Sequence, residues 1–212
     1  MTLQGLYLVT PDWDDTGSLL AVTGKALEAG AALVQYRNKT AVPELRREQA
    51  AALLDLCRRH GKQLVINDHL DLCRELDADG VHLGGADAPV AAARAALGPD
   101  KIVGASCYGR LALAHAAQDA GASYVAFGGF YPSKVKVYVA STPLHIVAQA
   151  RTALRLPVVV IGGMTAANAR PLVGLGADMV AAISSVYLAA DPFAAAKELA
   201  DLFVGWAPRA HA

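Results

Sequence analysis

Eight short apolar runs recur along the 212-residue chain, most ending in a cluster of Gly, polar or charged residues. They cover residues 5–10, 32–37, 63–68, 80–84, 102–107, 124–128, 158–162 and 179–184. Val-rich runs such as 156–161 show little alternation, which suits parallel strands buried on both faces. The segments between the runs are rich in Ala, Leu and Arg and read as helices. Segment 43–59 opens with Pro43 at an N1 position, can place Leu45, Leu53, Leu54 and Leu56 on one face, and is stopped by Gly61. Segment 88–97 stops at Gly98-Pro99, segment 111–120 stops at Gly121, and Asp191-Pro192 supplies an N-cap and N1 pair for the last helix. Eight strand–helix units in a chain of one-domain length predict a single-domain α/β fold, the (β/α)8 or TIM barrel. The barrel is expected over residues 1–204, with 205–212 a short frayed tail. An open doubly wound sheet uses the same units, but their regular spacing favours closure.

Composition narrows the partners. The 19 basic and 19 acidic residues cancel to a formal net charge of zero. That argues against a general nucleic-acid or anionic-membrane surface and leaves room for a local anion pocket. Aromatic residues make up 6% of the chain, too few for a base-stacking platform. Cys57, Cys73 and Cys107 are scattered without CxxC spacing, so a reducing cytoplasm is expected rather than a disulfide framework. No basic and apolar leader precedes the first run, and no apolar stretch has the length of a membrane span. The expected partners are small molecules, with no nucleic acid and no membrane. A homo-oligomer is compatible with all of this.

A (β/α)8 barrel carries its chemistry at the C-terminal ends of its strands. Gln35, Tyr36, Arg37, Asn38, Lys39, Asn67, Asp68, Asp87, Ser106, Lys136, Gly162, Gly163, Ser184 and Ser185 fall there. Residues at i and i+2 on a strand point the same way, so Gln35, Arg37 and Lys39 project together as an anion clamp. The alternative for that trio is a solvated strand end with salt bridges to neighbours. Asp68 and Asp87 end neighbouring strands. Two carboxylates facing cations suit Mg2+, which completes its shell with water and phosphate oxygens. Alone, Asp87 also reads as an N-cap for segment 88–97. The glycines of Ile161-Gly162-Gly163-Met164-Thr165, together with Ile183-Ser184-Ser185, form the turns after strands seven and eight, the usual phosphate site of this fold. His69 and His82 read as hydrogen-bonded packing residues, and Cys107 as a small buried one. Segment 131–143, with Lys134 and Lys136, is long for a strand–helix connection and reads as a lid.

This ordered set of motifs resembles the thiamine-phosphate synthase family. The distinctive pieces are Val34-Gln35-Tyr36-Arg37-Asn38-Lys39, Ile66-Asn67-Asp68, Asp79-Gly80-Val81-His82-Leu83-Gly84 followed by Asp87, Gly104-Ala105-Ser106-Cys107, the segment from Gly128 to Lys136, and Ile161-Gly162-Gly163-Met164. The resemblance spans nearly the whole chain. It implies a transferase of thiamine biosynthesis that joins a pyrimidine diphosphate to a thiazole phosphate and releases pyrophosphate. It also implies that Gln35, Tyr36, Arg37, Asn38, Lys39, Asn67, Ser106 and Lys136 hold the pyrimidine diphosphate, with Arg37, Lys39, Ser106 and Lys136 catalytic. Asp68 and Asp87 would bind Mg2+. Ser133, Lys134, Val135, Gly162, Gly163, Ile183 and Ser184 would hold the thiazole phosphate. The implied mechanism is a Mg2+-assisted dissociative loss of diphosphate. The chain departs from the family's loop pattern at Gly129, Ser133 and Val135, where Pro, Thr and Thr are usual. Two other readings remain open: a thiazole tautomerase on the same scaffold, and a non-catalytic barrel that binds a phosphate ligand.

Overall fold

The computed structural model describes residues 3–85, 87–132 and 142–206. Strand and helix alternate: β1 (Gly5–Val9), α1 (Thr16–Glu28), β2 (Leu33–Tyr36), α2 (Pro43–Arg59), β3 (Gln63–Asn67), α3 (Leu70–Glu75), β4 (Gly80–Leu83) and α4 (Val90–Leu97). The second half continues with β5 (Ile102–Tyr108), α5 (Leu111–Asp119), β6 (Tyr124–Gly128), α6 (His145–Ala153), β7 (Val158–Ile161), α7 (Ala166–Gly174), β8 (Met179–Ala182), α8 (Ser184–Tyr187) and α9 (Pro192–Ala200). Every strand is parallel to its neighbours, and β8 returns to pair with β1, Gly5 opposite Met179 and Leu8 opposite Ala182. The sheet is a closed eight-stranded barrel.

Local chemistry accounts for the helix boundaries. Pro43 opens α2 at its first turn, where the missing N–H has no intrahelical acceptor to lose. The Asp191 carboxylate caps α9 by accepting from Ala194 N at 3.1 Å. Helix α4 starts at Val90, two residues later than the sequence predicts. Pro89 takes the cap position in an extended conformation, and its ring disfavours a helical Ala88. Helix α5 ends at Asp119, one residue earlier than predicted. In the described part of the tail, Gln4 Nε2 donates to the Trp206 carbonyl at 3.3 Å. Residues 207–212 lie outside the described residues.

Alternation along each strand divides the core into two shells. Leu6, Leu8, Val34, Leu64, Ile66 and Val81 point outward and pack under the helices. Tyr7, Val9, Leu33, Val65, Tyr124, Val159 and Met179 point inward and fill the barrel. Each fully buried side chain of this size contributes about 1.5–3 kcal/mol of transfer free energy. The inner shell is tight. A Cβ on Gly104 of β5 would lie 2.1 Å from the Cζ of the Tyr124 ring, so Tyr124 occupies space that only a glycine leaves open.

Gly104→Ala is therefore expected to destabilise the barrel by about 1–3 kcal/mol through overpacking. Urea denaturation checks this. An unchanged midpoint would contradict the close approach of Tyr124 to β5.

Candidate active site

A cavity of about 200 Å³ opens at the C-terminal ends of the strands. Of the residues expected there, Gln35, Arg37, Lys39, Asn67, Asp68, Asp87, Ser106, Gly162, Gly163, Ile183 and Ser184 line it. Tyr36 and Asn38 do not. The pleat turns Tyr36 outward, where its hydroxyl donates to Gln49 Oε1 of α2 at 3.0 Å. Asn38 braces the following turn: its Nδ2 donates to the Trp13 carbonyl at 3.0 Å, and its Oδ1 accepts from Ala41 N at 3.0 Å. Ser133, Lys134, Val135 and Lys136, and with them most of the expected lid, lie outside the described residues.

The cationic wall is anchored from a distance in sequence. Arg37 Nη1 donates to both Asp12 oxygens, at 2.9 and 3.0 Å, and Asp12 Oδ1 also accepts from Lys39 N at 2.7 Å. Thr10 and Arg37 bond reciprocally, Thr10 Oγ1 to the Arg37 carbonyl at 2.8 Å and Arg37 N to Thr10 Oγ1 at 2.7 Å. The cations are salt-bridged, as one sequence alternative expects, and they also face the cavity. Asp12 carries no signal in the sequence, because its partner lies 25 residues away.

The two carboxylates meet. Lys39 Nζ lies 3.0 Å from Asp68 Oδ2, and the Asp68 and Asp87 side chains share a hydrogen bond. Asp68 adopts a left-handed φ of 63°, and its N–H donates to the His82 carbonyl at 2.9 Å, extending the β3–β4 ladder by one residue. Asp87 Oδ2 accepts from Gly84 N at 2.5 Å, so this carboxylate holds the turn after β4 rather than capping α4. Burial works to raise the Asp68 carboxyl, but its hydrogen bond with Asp87 and its pairing with Lys39 outweigh burial and hold it below the usual range. Asp87 is raised, first by burial and then by sharing a hydrogen bond with charged Asp68. Two carboxylates that perturb each other in this way mark a place where a cation is favoured. Two hard oxygen donors beside open space fit Mg2+, which takes one or two carboxylates and fills its shell with water and phosphate oxygens. Among the described residues no group of three or more His, Cys, Asp or Glu gathers as a closed metal cage.

The opposite wall is built from backbone. Gly162 has φ 113°, and a Cβ there would lie 2.9 Å from Gly129 N. Gly163 has φ 62°, and a Cβ there would lie 2.2 Å from the Pro132 carbonyl oxygen. Only glycine allows the turns after β6 and β7 to approach this closely. Thr165 and Asn168 form a reciprocal cap on α7, and Asn168 Nδ2 donates to the Gly163 carbonyl at 2.9 Å. The start of α8 lies on the same side. There the Ser185 hydroxyl is buried with no hydrogen-bond partner among the described residues.

The floor holds residues that sequence reasoning passed over. Gln35 Nε2 donates to the Tyr7 hydroxyl at 2.6 Å, Tyr7 and Tyr124 hydroxyls are 2.6 Å apart, His82 Nδ1 is 2.9 Å from Tyr124, and His82 Nε2 is 2.8 Å from Ser106 Oγ. Both tyrosines are fully buried, and burial drives both hydroxyl pKa values well up. In the sequence they look like ordinary strand aromatics. Tyr108, also unforeseen, follows a bulge in β5 and accepts from Gly85 N at 3.0 Å. Cys107 is buried as expected, and burial pushes its thiol up to about 12.

The model of the thiamine monophosphate synthase family matches residues 6–186. The chain belongs to this family. It is 61% identical over 201 residues to the thiamine-phosphate synthase of Janthinobacterium sp. (strain Marseille), covering 95% of this chain and 97% of that one. It is 50% identical to the thiamine-phosphate synthase of Methylobacillus flagellatus over 95% and 96% of the two chains. Among solved structures, the thiamine phosphate pyrophosphorylase from Pyrococcus furiosus superposes with a TM-score of 0.83 at 32% identity, covering 96% of this chain and 97% of that one. A family member of this kind is an enzyme, a transferase, on a TIM-type barrel. No helix among its described residues is long and apolar enough to cross a membrane.

Asp12→Ala removes the carboxylate from an arginine that is only 8% exposed. The expected loss is about 1–3 kcal/mol, the cost of a nearly buried donor group left without its partner. Urea denaturation measures it, and a loss below about 0.5 kcal/mol would remove Asp12 as the anchor of this wall.

Proposed function

We propose that the chain condenses 4-amino-2-methyl-5-(diphosphooxymethyl)pyrimidine with 4-methyl-5-(2-phosphooxyethyl)thiazole, giving thiamine phosphate and pyrophosphate. The observation that carries this reading is the contact between Asp68 and Asp87 beside Lys39, on the rim of a cavity whose neighbouring wall holds Arg37. That is a site for a diphosphate with a divalent ion, in a chain whose relatives are named for this synthesis.

Arg37 and Lys39 would hold the diphosphate from the β2 side, joined by Lys136, and Ser106 would donate a hydrogen bond from the β5 side. Asp68 and Asp87 would hold Mg2+, which when bound supplies further positive charge to the diphosphate oxygens. The methylene C–O bond breaks, and its electron pair leaves with the diphosphate. The aminopyrimidine ring feeds electron density into the carbon left behind. The thiazole nitrogen then contributes its lone pair to the new C–N bond. That nitrogen carries no proton, so no general base is needed. The work of the chain is charge stabilisation, positioning and exclusion of water. Gly162, Gly163, Ile183 and Ser184 would hold the thiazole phosphate, and the partnerless Ser185 hydroxyl supports an anion on that side. Free, buried Cys57, Cys73 and Cys107 support a reducing, cytoplasmic setting.

The test is pyrophosphate release from the pyrimidine diphosphate, with and without the thiazole phosphate and Mg2+. Release is expected only with all three present. Chelation by EDTA should abolish it and added Mg2+ restore it. Asp68→Asn should lower turnover by about 10²-fold or more at an unchanged melting temperature. Near-normal turnover in that variant, or conversion of a thiazole carboxylate phosphate without pyrophosphate release, would overturn the reading.

A further inference from the structure

We propose that the buried series Gln35–Tyr7–Tyr124–His82–Ser106 is a one-way chain of hydrogen bonds that fixes the polarity shown to the ligand. Gln35 offers its carbonyl oxygen, and Ser106 offers its hydroxyl proton. Tyr124 and His82 are then positioning residues, and the site selects a heterocycle that brings an N–H donor to Gln35 and an acceptor to Ser106.

The argument is a count of protons. Gln35 Nε2 is a donor only, and it donates to the Tyr7 oxygen at 2.6 Å. Tyr7 therefore turns its own proton to Tyr124, 2.6 Å away. Tyr124, now an acceptor, turns its proton to His82 Nδ1 at 2.9 Å. An accepting Nδ1 leaves the imidazole proton on Nε2, which donates to Ser106 Oγ at 2.8 Å. The Ser106 proton then has the cavity to point into. Reversing any one link alone sets two protons or two lone pairs against each other inside the barrel, so the links turn over together or not at all. A doubly protonated imidazole would leave the Tyr124 proton without an acceptor. Burial raises both tyrosine hydroxyls, so neither breaks the series by ionising.

Geometry keeps the series rigid. The Tyr7 and Tyr124 rings meet edge to face with centroids 5.7 Å apart, and Tyr124 fits over Gly104 where no side chain intervenes. Gln35 and Ser106 end the series and line the cavity, as do Tyr7 and His82 between them, whereas Tyr124 is not among its lining residues. An aminopyrimidine has the required pattern, with an exocyclic N–H donor and acceptor atoms on its ring and diphosphate. The identity of that ligand rests on the function proposed above, while the hydrogen-bond series itself does not.

Two measurements test it. In the ligand-free protein labelled with 15N-histidine, the His82 resonances, assigned by their loss in His82→Gln, are expected to show one neutral tautomer protonated on Nε2. In Tyr7→Phe, where the altered side chain makes no hydrogen bond to His82, the second tautomer should become populated. A wild-type Nδ1–H or charged imidazole overturns the proposal, as does a folded Tyr7→Phe protein with unaltered His82 resonances. The second measurement compares the pyrimidine diphosphate with an analogue whose amino group is replaced by oxo, which turns the donor into an acceptor. Tyr124→Phe should reduce the kcat/KM preference for the amino compound at least tenfold and leave the KM for thiazole phosphate unchanged. If Tyr124→Phe does not fold, the double variant Tyr7→Phe/Tyr124→Phe, which removes both hydroxyls together, takes its place. A slower enzyme with unchanged preference would mean a structural role only and overturn the proposal. Absence of pyrophosphate release from wild type would fail the proposed function alone, with the imidazole readout still deciding the series.

Discussion

A closed parallel barrel admits only alternate side chains to its interior, and that parity organises both the core and the site. On β2 it admits Leu33 and Gln35 and carries the same phase on to Arg37, while Val34 and Tyr36 pack outward. The interior is small and largely apolar, so a polar side chain that enters must find its partner among the few others that enter with it. Gln35, Tyr7, Tyr124, His82 and Ser106 come from five different strands, yet they satisfy one another in sequence. Shared dependence of this kind fixes orientation more strongly than any single pair would.

The rim obeys a different logic, that of charge. Arg37 is held by Asp12 and Lys39 by Asp68, so the cations are partnered before any anion arrives. Partnering costs some of their attraction for a ligand, but it places them, and a placed cation loses less side-chain freedom on binding. The acidic pair is less settled. Asp68 and Asp87 are close enough that one raises the other, while Lys39, itself about half exposed, and the Gly84 N–H act against that rise. Repulsion of this kind is relieved by positive charge, which is why the function proposed above puts a divalent ion here.

Much of this was legible from residue order. The eight runs, Pro43 and Asp191 as helix openers, and the glycines after β7 act through local chemistry, and local chemistry is what a sequence displays. The gathering of Gln35, Arg37, Asp68 and Asp87 followed from strand parity and barrel order. Tyr36 and Asn38 escaped because a motif names consecutive residues, whereas a strand separates them onto two faces. The Asp12–Arg37 and Tyr7–Tyr124 pairs escaped for a different reason. They span 25 and 117 residues, and neither partner's neighbours in sequence announce it. His82 read as a packed histidine, which it is; its second role appears only when both of its nitrogens are followed to their partners.

Rim and floor divide the work of recognition. The rim responds to charge, which is long-ranged and indifferent to the shape of the group that carries it. In the function proposed above, any small diphosphate would satisfy Arg37, Lys39 and a metal held by the acidic pair. Discrimination among diphosphates would then come from contacts that are short and directional, and hydrogen bonds inside the barrel have both properties. A wrongly oriented donor there leaves a buried polar group unmet, a far steeper penalty than the same mismatch suffers at the solvated rim. Lys39, half exposed beside Asp68, can adjust to its ligand. Tyr124, wedged over Gly104 and bonded on both sides, cannot. For this reason the specificity of the site is set by its least accessible residues.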